Sequence, residues 1–201
     1  MDTRIESILD FWFGELDEHG YATDDRNKLW FQSSAETDII IRTRFGELVG
    51  QACRGELDNW AETARGRLAL IIVLDQFTRN INRGSAAAFK GDSKARQLCK
   101  QGQDLGHDQT LAPSERVFFY LPLEHSENLT DQEQCVALYS QLHDQAPPAR
   151  QERALSNVNF ARQHKAIIEQ FGRFPHRNKA LGRGSTPQEL EYLKNANSFG
   201  Q

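Results

Sequence analysis

Leu68-Ala69-Leu70-Ile71-Ile72-Val73-Leu74, continued without a break by Asp75-Gln76-Phe77-Thr78-Arg79-Asn80-Ile81-Asn82-Arg83-Gly84, joins seven apolar residues to a polar, charged tail. A run this short fits either a strand buried on both faces or a helix enclosed on all sides. The rest of the chain decides between them. No turn-bounded segment of alternating apolar and polar residues exists to pair with a strand, whereas helix start and stop signals recur throughout. The run is therefore read as the central helix of an all-α protein.

Upstream, Thr3-x-x-Glu6 and Ser33-x-x-Glu36 have the form of capping boxes, in which a hydroxyl and a carboxylate satisfy free N–H groups at a helix start. The first opens a helix with Ile5, Ile8, Leu9 and Trp12 on one face, stopped by Gly14. The second opens a helix with Ile41, Phe45, Leu48 and Ala52 inward, stopped by Gly55. A short helical turn carries Trp30-Phe31, and a helix starting near Asp58 leads through Trp60 into the central segment.

Downstream, Gly91-Asp92 starts a helix carrying Ala95, Leu98 and Cys99. Pro113 opens the next, which runs to Glu127 with a kink at Pro122. Thr130-x-x-Glu133 caps a helix with Val136, Tyr139 and Leu142 inward. Pro147-Pro148 ends it, and a long helix from Ala149 to Gly172 brings Phe160, Ile167, Ile168 and Phe171 to one face. Thr186-Pro187-Gln188-Glu189 caps a last helix. The pattern predicts about nine helices paired as antiparallel hairpins in a compact stack, with residues 1–201 forming one domain and no sheet.

The formal net charge is -4, unevenly spread. Residues 1–148 hold 15 Lys and Arg against 24 Asp and Glu, while residues 149–184 hold 8 against 2. An acidic whole without interleaved basic and aromatic residues argues against nucleic acid as a partner. Cys53, Cys99 and Cys135 lack metal-ligand or redox spacing and are expected to be buried thiols in a reducing cytoplasm. Seven consecutive apolar residues fall far short of the roughly 20 that span a bilayer, and Met1-Asp2-Thr3-Arg4-Ile5-Glu6 has no leader character, so neither membrane insertion nor export is expected.

Three constellations carry chemistry. Asp75, Arg79 and Arg83 recur one helical turn apart: Asp75 and Arg79 can form an ion pair, or Arg79 and Arg83 can grip a carboxylate or phosphate. Glu124-His125-Ser126-Glu127, with Asp131, concentrates acids that call for basic partners opposite, and His125 beside Glu124 is a possible acid–base pair. Phe171-Gly172-Arg173-Phe174-Pro175-His176-Arg177-Asn178 places Arg173, His176 and Arg177 in one loop, followed by Arg183 ahead of a helix start. The same arginines could instead neutralise the acidic segment. His164 is expected to be a core histidine. No phosphate-binding glycine loop, dinucleotide fingerprint, zinc-protease or di-iron motif is present, so no metal or cofactor is expected.

Taken together, Asp10-Phe11-Trp12-Phe13-Gly14, Trp30-Phe31, Leu74-Asp75-Gln76-Phe77-Thr78-Arg79-Asn80, Ala88-Phe89, Glu115 to Glu127, and Gly172-Arg173-Phe174-Pro175-His176-Arg177-Asn178 resemble the domain-of-unknown-function 924 family over nearly the whole chain. The resemblance implies an all-helical, tetratricopeptide-like bacterial protein and supplies no activity or catalytic residue. Thr78 and Asn82 depart from it, standing where the pattern has proline and an aromatic residue.

The leading expectation is a polar pocket in which Arg79, Arg83, Arg173 and Arg177 oppose Glu124 and Glu127, with His125 and His176 nearby, holding a small anionic ligand. The alternatives are a module that holds a peptide or partner helix, with Trp12, Phe13, Trp30 and Phe31 as its exposed strip, and a purely structural charge network. Whether any reaction is catalysed, and the oligomeric state, stay open.

Overall fold

Every regular element is helical in the computed structural model, which describes residues 2–23, 26–32 and 34–195. Among them the extended pairing is a lone bridge between Leu16 and Ala22. The chain divides into two compact units, residues 1–119 and residues 120–199.

The first unit holds α1 (Thr3–Phe13), α2 (Arg26–Phe31), α3 (Ala35–Arg54), α4 (Ala64–Ile72), α5 (Thr78–Ile81), α6 (Asp92–Asp104) and the start of α7 (Pro113–Glu124). Its starts and stops follow the capping chemistry with small shifts. Asp2 rather than Thr3 caps α1, its carboxylate accepting from the Arg4 N–H, because a carboxylate is the stronger acceptor at a positive helix end. Ser34 caps α3 by accepting from the Thr37 N–H, a simple cap in place of the box expected at Ser33; Ser33 itself lies outside the described residues. Gly55 ends α3 in the left-handed conformation.

Asp58–Glu62 forms a 3-10 turn, and Thr63 caps α4 after it, so the helix expected from Asp58 starts in two pieces. Leu68 to Leu74 are then sealed on all sides, each at most 1% exposed. Burying a Leu, Ile or Val side chain stabilises by roughly 1.5–3 kcal/mol, which makes this segment the largest contiguous apolar contribution in the unit.

The central helix does not end at its apolar half. Val73–Phe77 widens into a π turn before α5, an irregularity that the periodicity does not announce. Thr78 explains it: both its backbone N–H and its hydroxyl donate to the Val73 carbonyl, the hydroxyl at 3.0 Å. Asn82 then donates from Nδ2 to the Thr78 carbonyl at 3.0 Å. Thr78 and Asn82 thus supply bonds that shape this turn.

Around it sits an aromatic cluster. Phe77 stacks on Phe45 at 4.8 Å and takes the edge of Trp12 at 5.5 Å, while Trp12 and Phe13 each meet Phe118 at 5.5 Å. Trp30 donates from Nε1 to the Trp12 carbonyl at 2.9 Å. These rings bury large areas and prefer the edge-to-face geometry seen here.

In the second unit, α8 (Leu129–Gln145) and α9 (Gln151–Phe171) form a helical hairpin through Pro147 and a 3-10 turn at Pro148–Arg150. Asn128, not Thr130, caps α8, accepting from the Thr130 and Asp131 N–H groups. Gln132 explains why α7 stops at Glu124 rather than Glu127: its buried amide donates to the carbonyls of Leu123, Glu124 and Ser126. Pro122 stays inside α7. On α9 the buried stripe runs Ala154, Val158, Ala161 and Ile168, so Phe160, one position round the helix, is 44% exposed instead of inward. Ile167, Ile168 and Phe174 form a core packed by Phe171 and Tyr192. The capping box of α10 (Pro187–Leu193) is complete at Thr186 and Glu189.

Cys99 and Cys135 are buried free thiols; Cys53 is half-buried. Among the described residues no helix is long and apolar enough to cross a membrane.

Gly91 and Gly46 provide opposite tests of this packing. A Cβ at Gly91 would overlap the Leu74 carbonyl oxygen on the central helix, whereas a Cβ at Gly46, inside α3, meets nothing within 4 Å. Gly91→Ala is expected to destabilise by about 1–3 kcal/mol, and Gly46→Ala to stabilise by up to about 1 kcal/mol. Urea unfolding of both variants checks the two signs.

Candidate functional site

Because the central helix is sealed by apolar contacts on all sides, its polar continuation carries charge into the first unit. Asp75, one turn before Arg79, is 1% exposed. Arg79 donates to Asp75 Oδ1 at 3.2 Å and to Asp92 Oδ1 at 2.8 Å, and its guanidinium lies 5.3 Å from the Phe89 ring centre. Burial alone would lower the Arg79 pKa; the two carboxylates outweigh it and hold the group protonated. Gln76 adds a donor to Asp75 at 2.5 Å. Arg83 forks onto Asp38 with two bonds of 3.0 Å, and Asn80 reaches the same carboxylate at 2.9 Å. These bonds tie the polar end of the central helix to α3 and α6 through ion pairs. Asp38 and Asp92 were not among the residues singled out from sequence, since pairing over long separations leaves no local pattern.

Sequence reasoning also passed over Arg67. It is 4% exposed and donates to His107 Nδ1 at 3.2 Å, the Leu98 carbonyl at 3.0 Å and the Ala61 carbonyl at 2.7 Å, with no carboxylate partner among the described residues. Burial pulls its pKa down. Accepting at Nδ1 requires a neutral His107 with its proton on Nε2; burial first, then Arg67, keep that ring's pKa low.

The second unit gathers the other candidates. Arg173 forks onto Glu189 at 2.6 and 2.8 Å, and Arg183 onto Glu127 at 2.7 and 2.9 Å. Arg173 is the chief reason that Glu189 falls to about 2. Burial would raise Glu127, but Arg183 and the Phe174 N–H, donating at 2.8 Å, bring it below the ordinary value. Arg177 donates to the His125 carbonyl at 3.0 Å with its guanidinium 4.4 Å from the Phe174 ring centre. Ser126 donates to Asp131 at 2.6 Å across the turn between α7, which ends at Glu124, and α8, which holds Asp131.

Glu124, 6% exposed, lies with Oε1 3.6 Å from His164 Nδ1, whose hydrogen bond goes to the Phe160 carbonyl at 2.9 Å. His164 is a core histidine, 4% exposed. Its pKa falls to about 3, mainly through burial, with His125, Arg177 and His176 adding electrostatic pressure. His164 and His176 both pack against the Phe174 ring, at 5.6 and 5.5 Å, with the Arg177 guanidinium 4.4 Å from it and Glu124 beside His164, while Glu127 and Glu189 are engaged by Arg183 and Arg173. Among the described residues no group of three or more His, Cys, Asp or Glu side chains is placed to hold a metal ion.

A histidine held neutral by the fold stabilises it only while the unfolded chain is also largely neutral. His164 therefore contributes fully above about pH 6.5, and this contribution is lost as pH falls from there towards about 3. At about 1.4 kcal/mol per pH unit the loss reaches a few kcal/mol, moderated by the nearby Glu124. His164→Gln is expected to flatten unfolding free energy against pH across that window, as read by urea titrations at several pH values. A second loss, shared by the wild type and this variant, is expected from about pH 4.5 towards 2 as Glu189 is protonated.

Comparison with known proteins supplies the remaining finding. Residues 8–197 match the model of a family described as "Bacterial protein of unknown function (DUF924)". A solved structure of a protein of unknown function from Agrobacterium tumefaciens is similar at 35% identity, with a TM-score of 0.78, covering 96% of this chain and 98% of that one. No curated protein matches. The chain belongs to the DUF924 family of bacterial proteins of unknown function.

Proposed function

We propose that this protein binds a small anionic molecule through its second unit, at the group formed by His125, His164, His176 and Arg177 beside Glu124. The observation that carries the reading is the grouping of His164, His176 and Arg177 around the Phe174 ring, with Arg177 bonded to the His125 carbonyl and Glu124 3.6 Å from His164. Arg177 is oriented by the His125 carbonyl and the face of Phe174, an arrangement that fixes a guanidinium for a planar or tetrahedral oxyanion. His125 and His176 are half-buried, so protonation there adds positive charge where a ligand would arrive. Arg173 and Arg183 support this group by fixing Glu189 and Glu127. Asp75, Arg79 and Arg83 serve as the internal anchor of the first unit in this reading, and a cytoplasmic location accords with the free cysteines.

The interaction-module reading has less to draw on: of the strip it requires, Trp12 and Phe13 are buried, Trp30 is half-buried, and Phe31 alone is exposed.

Sulfate keeps its charge between about pH 6 and 8, where an ordinary imidazole titrates, and so separates the ligand's protonation from the protein's. Saturable thermal stabilisation by sulfate, beyond that of chloride at equal ionic strength, is expected to strengthen as pH falls through this range. His176→Ala and Arg177→Lys should each weaken it about tenfold or more, the equivalent of about 1.4 kcal/mol. Equal stabilisation of the wild type and both variants at every pH would overturn the proposal.

A further inference from the structure

The first unit carries an open cavity of about 270 Å³ on its own surface, lined by residues of α1 and α3 that belong to none of the charge networks above. Phe45 and Leu48 supply apolar lining, and Arg4, Ser7, Arg44 and Glu47 supply polar groups. Its size lies just below the roughly 300–1,000 Å³ of common small-molecule clefts.

Arg44 distinguishes it from a chance hollow. Its guanidinium carbon lies 4.8 Å from the ring centre of Phe11 and 4.9 Å from that of Phe45. It pairs with no carboxylate among the described residues. A guanidinium seated on aromatic faces keeps its N–H edge for a planar acceptor, because the ring attraction acts through the face. Arg4 differs: it is already forked onto Asp2, with a long 3.4 Å bond to Gln51, so its charge is committed. Glu47 contributes a negative charge to the same cavity. One available guanidinium, one carboxylate and an apolar lining suit a ligand with a single negative group and an apolar body, and oppose a second negative group.

We infer that this cavity is a binding site for a small apolar monocarboxylate, whose carboxylate meets Arg44 and whose body lies on Leu48 above the buried Phe45. Glu47 acts as the selectivity group against dicarboxylates. The site is separate from the anion group of the second unit, and either can fail without the other.

Benzoate and succinate are the probes, and the arginine Nε–Hε region of a ¹H–¹⁵N spectrum is the readout, with the Arg44 signal identified by its loss in Arg44→Gln. Arg44 is exposed, so this substitution leaves the core intact. Benzoate is expected to shift the Arg44 signal saturably, with succinate at equal ionic strength shifting it at least fivefold less at the same concentration. Glu47→Gln is expected to bring succinate up to the benzoate response, while Lys90→Gln, an exposed change of the same charge as Arg44→Gln, leaves benzoate binding unaltered. In Arg44→Gln, benzoate-dependent saturation transfer from the protein to the probe should disappear. An Arg44 signal that does not move with benzoate, or that moves equally with both probes in the wild type, would overturn the inference.

Discussion

Asp75 is 1% exposed and charged at the end of a sealed helix, and Arg79 is the group that makes this tolerable. An isolated carboxylate at such a position would cost several kcal/mol, so the first unit is built to deliver partners to it. The π turn sets Asp75 and Arg79 on the same side, α6 presents Asp92 at its first residue, and Phe89 covers the guanidinium face. Gly91 lets α6 approach closely enough, since any side chain there would strike the central helix. Packing and charge are thus coupled: the apolar run places the helix, and the ion pairs at its polar end hold the neighbouring helices on it.

The second unit uses similar chemistry with a different balance. Its outer arginines, Arg173 and Arg183, are forked onto Glu189 and Glu127 and tie the loop after α9 to α10 and to the loop after α7. Its inner group is richer in imidazole than in carboxylate. That contrast separates an anchor in the first unit from a group in the second that can take on charge, and it is why the proposed anion contact is assigned to the second.

Much of the fold was legible in the sequence because it rests on local rules. The apolar run from Leu68 to Leu74, the stops at Gly14, Gly55 and Gly172, and the box at Thr186 each act within a few residues. Errors arose where neighbouring residues compete for one role. Asp2 outcompetes Thr3 as a cap, Asn128 outcompetes Thr130, and Gln132 ends α7 from another helix altogether. The π turn is closed by the Thr78 N–H and hydroxyl on one carbonyl, and no periodicity records it. The site was legible as a set of residue types and in one local pair, Asp75 with Arg79, but not in its distant pairs. Asp38 for Arg83, Asp92 for Arg79 and Glu189 for Arg173 are joined only by folding, and Arg67 is held by two carbonyls and an imidazole that sequence cannot single out.

The claim that the Asp75–Arg79 pair organises the first unit is tested most directly by a double-mutant cycle. Asp75→Ala, Arg79→Ala and the double variant would be compared with the wild type by urea unfolding. Asp75→Ala leaves the buried Arg79 with Asp92 alone, Arg79→Ala leaves the buried Asp75 without its guanidinium, and the double change removes both charges. The account predicts single losses of about 3–5 kcal/mol and a double loss well below their sum, with a coupling of at least about 2 kcal/mol. Losses that simply add would show that the two residues act independently and would contradict it.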